Sequence, residues 1–118
     1  MQQYPNSSRV IEQLGRAYEK NKDFRSALVQ YQKAAQQGYA TAQYNLGRMY
    51  ATGQGVQTNY AEAIIWYRKA TDQGNAAAQT NLGSLYANGQ GVAQNYVEAA
   101  KWYRKAAEQY PSAEGRLV

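Results

Sequence analysis

The chain repeats itself, and the repeat constrains the fold more than any other feature. Residues 40–74 and 76–109 superpose with a constant offset of 36. Leu46, Gly47, Tyr50, Gly53, Gly55, Val56, Trp66 and Tyr67 then meet Leu82, Gly83, Tyr86, Gly89, Gly91, Val92, Trp102 and Tyr103. An earlier copy keeps the same offset in its second half, where Ala27, Tyr31 and Ala34 precede Ala63, Tyr67 and Ala70. Its first half is offset by 32, with Leu14, Gly15 and Tyr18 ahead of Leu46, Gly47 and Tyr50. Four residues are therefore missing between Tyr18 and Phe24, where the later copies carry the glycine-containing stretches 53–56 and 89–92. A period of this length marks supersecondary units that cannot bury an apolar face alone and gain a shared core by stacking.

Within each copy the spacing predicts two helices. In the first, Ala42, Leu46 and Tyr50 recur every four residues and share a face. The second starts from a cap: Asn59 with Glu62 and Asn95 with Glu98 have capping-box spacing, and Asp23 is the equivalent cap in the first copy. The predicted helices cover 7–20, 24–37, 40–52, 60–73, 76–88 and 96–109. Gly38 and Gly74 stand where a left-handed residue ends a helix. Gly15, Gly47 and Gly83 fall inside helices, where glycine costs about 1 kcal/mol against alanine. Keeping it there in register suggests that a partner helix approaches closely. The single domain 1–118 thus divides into repeats at about 7–38, 39–74 and 75–110, followed by a tail at 111–118. Pro111 breaks the link, and Val118 aligns with Leu46 and Leu82. The tail reads as a truncated helix or a minimal cap, and a homodimer through this unfinished end is an expectation.

Composition narrows the chemistry. The 118 residues contain no Cys and no His, which removes disulfide scaffolds, Cys/His metal centres, thiol enzymes and His-based triads. Aromatic residues make up 13% of the chain, twelve of them Tyr, which argues for a packed core rather than disorder. The net charge is +5, and residues 1–38 carry six basic residues against three acids. That is a mildly basic first third, not a nucleic-acid stripe. No apolar stretch approaches the roughly 20 residues of a membrane span. The opening MQQYPNSSRV lacks the apolar core of a secretory leader, so the protein is expected to be either cytosolic or exported with a leader removed before residue 1. The Gly-Gln-Gly loops lack the lysine and the strand context of a phosphate cradle. Glu62 and Glu98 occupy equivalent places in different repeats, so they stack rather than oppose as a catalytic pair would. No enzyme, cofactor or metal site is predicted.

The elements A-x-A-Q-x-N-L-G-x-x-Y (40–50, 76–86), G-Q-G-V (53–56, 89–92) and A-x-x-W-Y-x-K-A (63–70, 99–106) resemble Sel1-like repeats, relatives of the tetratricopeptide repeat with a longer loop between the paired helices. The first copy, lacking that loop, resembles an ordinary tetratricopeptide pair. The resemblance implies an all-α, right-handed α/α superhelix of three antiparallel helix pairs, with the first (A) helix of each pair lining a concave face. It also implies an adaptor that holds other proteins.

Carrying over the concave positions gives three rows: Arg9, Thr41 and Ala77; Glu12, Tyr44 and Thr80; Arg16, Arg48 and Ser84. Glu19, Lys20, Thr52 and Asn88 are added from the helix ends. Arg16 and Arg48 are expected to form a fork for a partner carboxylate. Trp66, Trp102, Tyr18, Tyr50 and Tyr86 are expected in or beside the core. Lys33, Arg68, Lys69, Arg104 and Lys105 are expected on the solvated convex face. The leading reading is a scaffold that binds a partner peptide or helix on the A-helix face. The alternatives are a structural, excised or designed module without a dedicated ligand, and binding to cell-wall enzymes or polysaccharide in the bacterial envelope.

Overall fold

A computed structural model describes residues 7–109 as six helices: α1 (Ser8–Lys20), α2 (Phe24–Gln36), α3 (Ala40–Thr52), α4 (Tyr60–Thr71), α5 (Ala76–Asn88) and α6 (Tyr96–Glu108). The expected ends are met to within two residues, and no strand occurs among the described residues. The helices form three antiparallel pairs, α1–α2, α3–α4 and α5–α6, and each pair also packs on the next through α2–α3 and α4–α5. The tail at 111–118, with Pro111, Val118 and the contact expected there, lies outside the described residues.

The second helix of each pair starts as the sequence implies, with one correction. Asp23, Asn59 and Asn95 side chains accept from the backbone N–H of Ser26, Glu62 and Glu98. The reciprocal half of the capping box does not form. The backbone N–H groups of Asp23, Asn59 and Asn95 donate instead to the carbonyls of Tyr18, Tyr50 and Tyr86 at 2.9 Å each. One backbone bond thus closes the hairpin in every repeat, with or without the four-residue insertion. Glu98, freed from capping, pairs with Lys101 at 3.0 Å. Two caps were not anticipated: Ser7 accepts from Val10 N–H and Asn75 from Ala78 N–H.

Two buried clusters follow the stacking. Ala27, Leu28, Tyr31, Ala34 and Ala35 of α2 pack with Ala42, Leu46 and Met49 of α3; Ala63, Ile64, Tyr67 and Ala70 of α4 pack with Ala78, Leu82, Leu85 and Tyr86 of α5. Tyr50, half-buried, touches both clusters, and Trp66 and Trp102 pack against one each. Position within the stack decides burial. Leu46 and Leu82 are 0% exposed, whereas their counterpart Leu14 is 44% exposed. The later two lie against a preceding second helix, and among the described residues α1 has no such neighbour.

A polar link also crosses the stack. Gln43, buried, donates to the Ala35 carbonyl at 3.2 Å, and its Oε1 accepts from Gln73 Nε2 at 3.0 Å. Gln73 Nε2 also reaches the Gly38 carbonyl at 2.9 Å. In this way the end of the second repeat is tied to the end of the first.

The helix-interior glycines have the predicted cause. A Cβ on Gly47 would stand 2.8 Å from two Tyr67 ring carbons and 3.2 Å from the Ala63 carbonyl oxygen. A Cβ on Gly83 would meet Tyr103 at 2.9 Å. Tyr67 is buried, while Tyr103 is 40% exposed and has room to give. Gly47→Ala is therefore expected to lower stability by about 1–3 kcal/mol through overpacking, reversing the usual gain of about 1 kcal/mol for Gly→Ala in a helix. Gly83→Ala is expected to lose less. Urea-unfolding midpoints of the two variants check both the sign and the order.

Candidate interaction groove

The first helices of successive pairs are joined by polar side chains. Glu12 of α1 is 2% exposed, and its Oε2 accepts from Asn45 Nδ2 of α3 at 2.8 Å. Burial raises its carboxyl above the usual range, against the opposing pull of Arg16 and the Asn45 bond. Two turns along, Glu19 takes both arms of Arg48: Nη2 to Oε1 at 2.8 Å and Nη1 to Oε2 at 2.8 Å. The Tyr31 hydroxyl donates to the same Oε1 at 2.7 Å. The Arg48 bond, reinforced by Tyr31, holds the Glu19 carboxyl below its usual range despite partial burial. Burial and the neighbouring Glu19 raise the Tyr31 hydroxyl. In the next repeat burial pushes the Tyr67 hydroxyl up to about 12, partly countered by the bond that it accepts from Asn81.

Two cavities adjoin along this surface. One of about 330 Å³ is lined by Arg16, Glu19, Lys20, Tyr31, Asn45 and Arg48. The other, of about 230 Å³, is lined by Arg48, Ala51 and Thr52 of α3, Tyr60 and Tyr67 of α4, Asn81, Ser84 and Leu85 of α5, and Gln90 of the loop that follows. Arg48 belongs to both. It is the wall between a charged cavity and one built largely of aromatic and aliphatic carbon.

A single-atom difference between repeats shapes that wall. The Gly55 and Gly91 loops both rest on the start of the preceding second helix, at Phe24 and Tyr60 respectively. Gln90 donates to the Tyr60 hydroxyl at 3.2 Å. Phe24 offers no hydroxyl, and Gln54 turns to α3 instead, accepting from Thr52 Oγ1 at 3.2 Å and from Arg48 Nη1 at 3.5 Å.

The predicted residues sort by these contacts. Arg9, Thr41 and Asn88 are exposed, and Ala77 is half-buried. Thr52 and Thr80 are exposed but return their hydroxyls to their own helices, at the carbonyls of Arg48 and Ala76. Ser84 shares a 3.0 Å hydrogen bond with Tyr103. Tyr44 lies 6.1 Å from the Tyr67 ring. Two expectations are corrected. Glu12 is buried in the seam between helices rather than offered on the groove. The Arg16–Arg48 fork does not stand open, because Arg48 is held by Glu19; Arg16 keeps a side chain 62% exposed, 3.9 Å from Glu12. Tyr60, Asn81, Leu85 and Gln90 were missed. The recurrence of Gln54 and Gln90 within Gly-Gln-Gly was the signal that could have found part of this wall. The predicted convex residues Lys33, Arg68, Lys69, Arg104 and Lys105 are all exposed, and Arg68 donates to the Tyr86 hydroxyl.

Comparison with known proteins agrees with the fold of three stacked helix pairs. The Sel1 repeat family model matches three times, over residues 13–39, 40–75 and 76–110. The chain belongs to the Sel1 repeat family, its short first copy included. It is similar to a Sel1 repeat protein from Oxalobacter formigenes, at 42% identity and a TM-score of 0.83 over 88% of this chain and 44% of that one. It is also similar to c5321, a protective antigen of uropathogenic Escherichia coli strains displaying an SLR fold, at 40% identity and a TM-score of 0.83 over 86% of this chain and 23% of that one. The chain thus spans less than half the length of either structure. No curated protein matches. Sel1 repeat proteins generally act as protein-interaction scaffolds. Among the described residues no helix is long and apolar enough to cross a membrane.

Glu12 and Glu19 lie on one helix with opposite electrostatic roles. Glu19, whose carboxyl is lowered, contributes stability present above the usual carboxylate range and lost as pH falls through its folded value. Glu12, whose carboxyl is raised, favours the folded state in acid, and that contribution fades as pH rises through its folded value. At neutral pH, Glu19→Gln is expected to lose about 1–3 kcal/mol. Glu12→Gln keeps an acceptor for Asn45, removes a buried charge and is expected to lose nothing. Urea unfolding across a pH series checks both, with the gap between wild type and Glu19→Gln closing in acid.

Proposed function

We propose that this chain is a binding module without catalytic activity, and that the A-helix groove holds a segment of a partner protein. The single observation that supports this most is the pair of adjoining cavities on α1, α3 and α5, divided by Arg48. A concave surface that combines apolar depth with a few placed polar groups suits an extended peptide or a helix laid along it. Arg16, Lys20 and Tyr44 are the groove residues offered to it, and Arg48, Thr52 and Ser84, already engaged within the protein, shape its walls. Arg9, Thr41, Thr80 and Asn88 flank them.

The groove also differs in character from the opposite side. Its cations stand beside cavities, whereas Lys69 and Arg104 belong to the exposed faces of α4 and α6. Reversing Arg16 and Lys20 together to Glu is expected to abolish capture of the partner from a bacterial lysate. Reversing Lys69 and Arg104 to Glu is expected to leave capture intact. Far-UV circular dichroism should show the same helix content in both variants. Equal loss in the two would locate binding elsewhere.

A further inference from the structure

The two cavities differ in chemistry, and their shared wall fixes how far apart their ligands sit. Glu19 is neutralised within the first cavity by Arg48 and Tyr31. Glu12 is buried beneath it on Asn45. The charge left at the mouth is that of Arg16 and Lys20, one turn apart on α1 and both exposed. Among the described residues no hydrogen bond or ion pair engages Lys20, and the nearest carboxylate oxygen to Arg16 is at 3.9 Å. An anionic group entering here meets two cations without having to displace Glu19 from Arg48.

Beyond Arg48 the surface changes. Ala51, Tyr60, Tyr67 and Leu85 present carbon, and the about 230 Å³ between them is room for one large side chain. The polar groups at that site are already engaged: Asn81 on Tyr67, Gln90 on Tyr60, Ser84 on Tyr103. An apolar side chain filling the space would leave these three bonds in place.

We propose that the groove recognises a two-part protein segment: a carboxylate side chain over Arg16 and Lys20, and a large apolar or aromatic side chain in the cavity between α3 and α5. The proposal rests on the reading of the groove as the partner face and specifies the partner's chemistry. Packed helices lie about 8–10 Å apart, and an extended chain advances about 3.3 Å per residue. The acidic site lies on α1 and the apolar one between α3 and α5, about one and a half such spacings away, so the two positions of the segment are about four residues apart. Arg48, locked by Glu19, acts as the spacer.

The test uses the whole chain and three fluorescein-labelled nine-residue peptides. One is centred on Glu-Ser-Gly-Ser-Phe, one replaces that Glu by Gln, and one replaces that Phe by Ser. Fluorescence anisotropy reads affinity, and amide chemical shifts read location. Either replacement is expected to weaken binding about tenfold, the effect of roughly 1.4 kcal/mol. In the protein carrying Arg16→Gln and Lys20→Gln, the Glu and Gln peptides are expected to bind alike, while the penalty for losing Phe persists. In wild type the amide shifts are expected on Arg16, Lys20, Leu85 and Gln90. Three peptides of equal affinity, or shifts confined to α2, α4 and α6, would overturn the proposal. If the Arg16/Lys20 reversal still abolishes capture of the partner while the peptides bind alike, the two-part rule fails and the groove reading survives. If capture is also indifferent to that reversal, both fail.

Discussion

A tyrosine ring lying across a glycine sets the distance between the two helices of each pair. Gly15 faces Tyr31, Gly47 faces Tyr67 and Gly83 faces Tyr103, each ring within 2.9 Å of where a Cβ would stand. The rest of the structure depends on that approach. Close packing within a pair brings the Tyr31 hydroxyl to Glu19 and the Tyr67 hydroxyl to Asn81. It also leaves the opposite faces of the helices free to meet the next pair. The helical penalty of the glycine is offset by burial of a whole ring, worth a few kcal/mol at about 25 cal/mol per Å².

Periodic packing and periodic function part company at the groove. The core residues repeat because each pair must offer the same face to its neighbour. Along the A helices the same positions carry different groups: Arg16, Arg48 and Ser84 occupy one row, and Glu12, Tyr44 and Thr80 another. Not held to the repeat of the apolar core, these positions and their neighbours acquire individual chemistry. One carboxylate is buried on an amide, one is clamped by a guanidinium, and one tyrosine stands near another. The surface that results is charged at one end and carbon-lined at the other.

The first repeat shows how a deletion is absorbed. Losing the four-residue loop removes no hairpin bond, because Asp23 still donates its N–H to the Tyr18 carbonyl as Asn59 does to Tyr50. Lys22 adopts a positive φ of 61° in the shortened turn, where the longer loops use glycines. Yet the first copy lies on α1 and α2, and its Leu14 is exposed where Leu46 and Leu82 are sealed. Equivalence in sequence gives equivalence in geometry, and burial follows from neighbours instead.

The sequence by itself determined the six helices, the caps of α2, α4 and α6, the close approach at the helix glycines and the solenoid, because each is set by local chemistry repeated at a fixed spacing. It also placed Arg16, Lys20, Tyr44 and Arg48 on the A helices. Only the tertiary structure decided which of those side chains were already spoken for. Glu12 shares its row with Tyr44 and Thr80, and no periodicity foretells that Asn45 draws it into the seam. Arg48 lies 29 residues from Glu19, and the presence of that carboxylate opposite it depends on α1 and α3 lying side by side. Side-chain pairing across helices is a property of distance in space, to which spacing along the chain has no access.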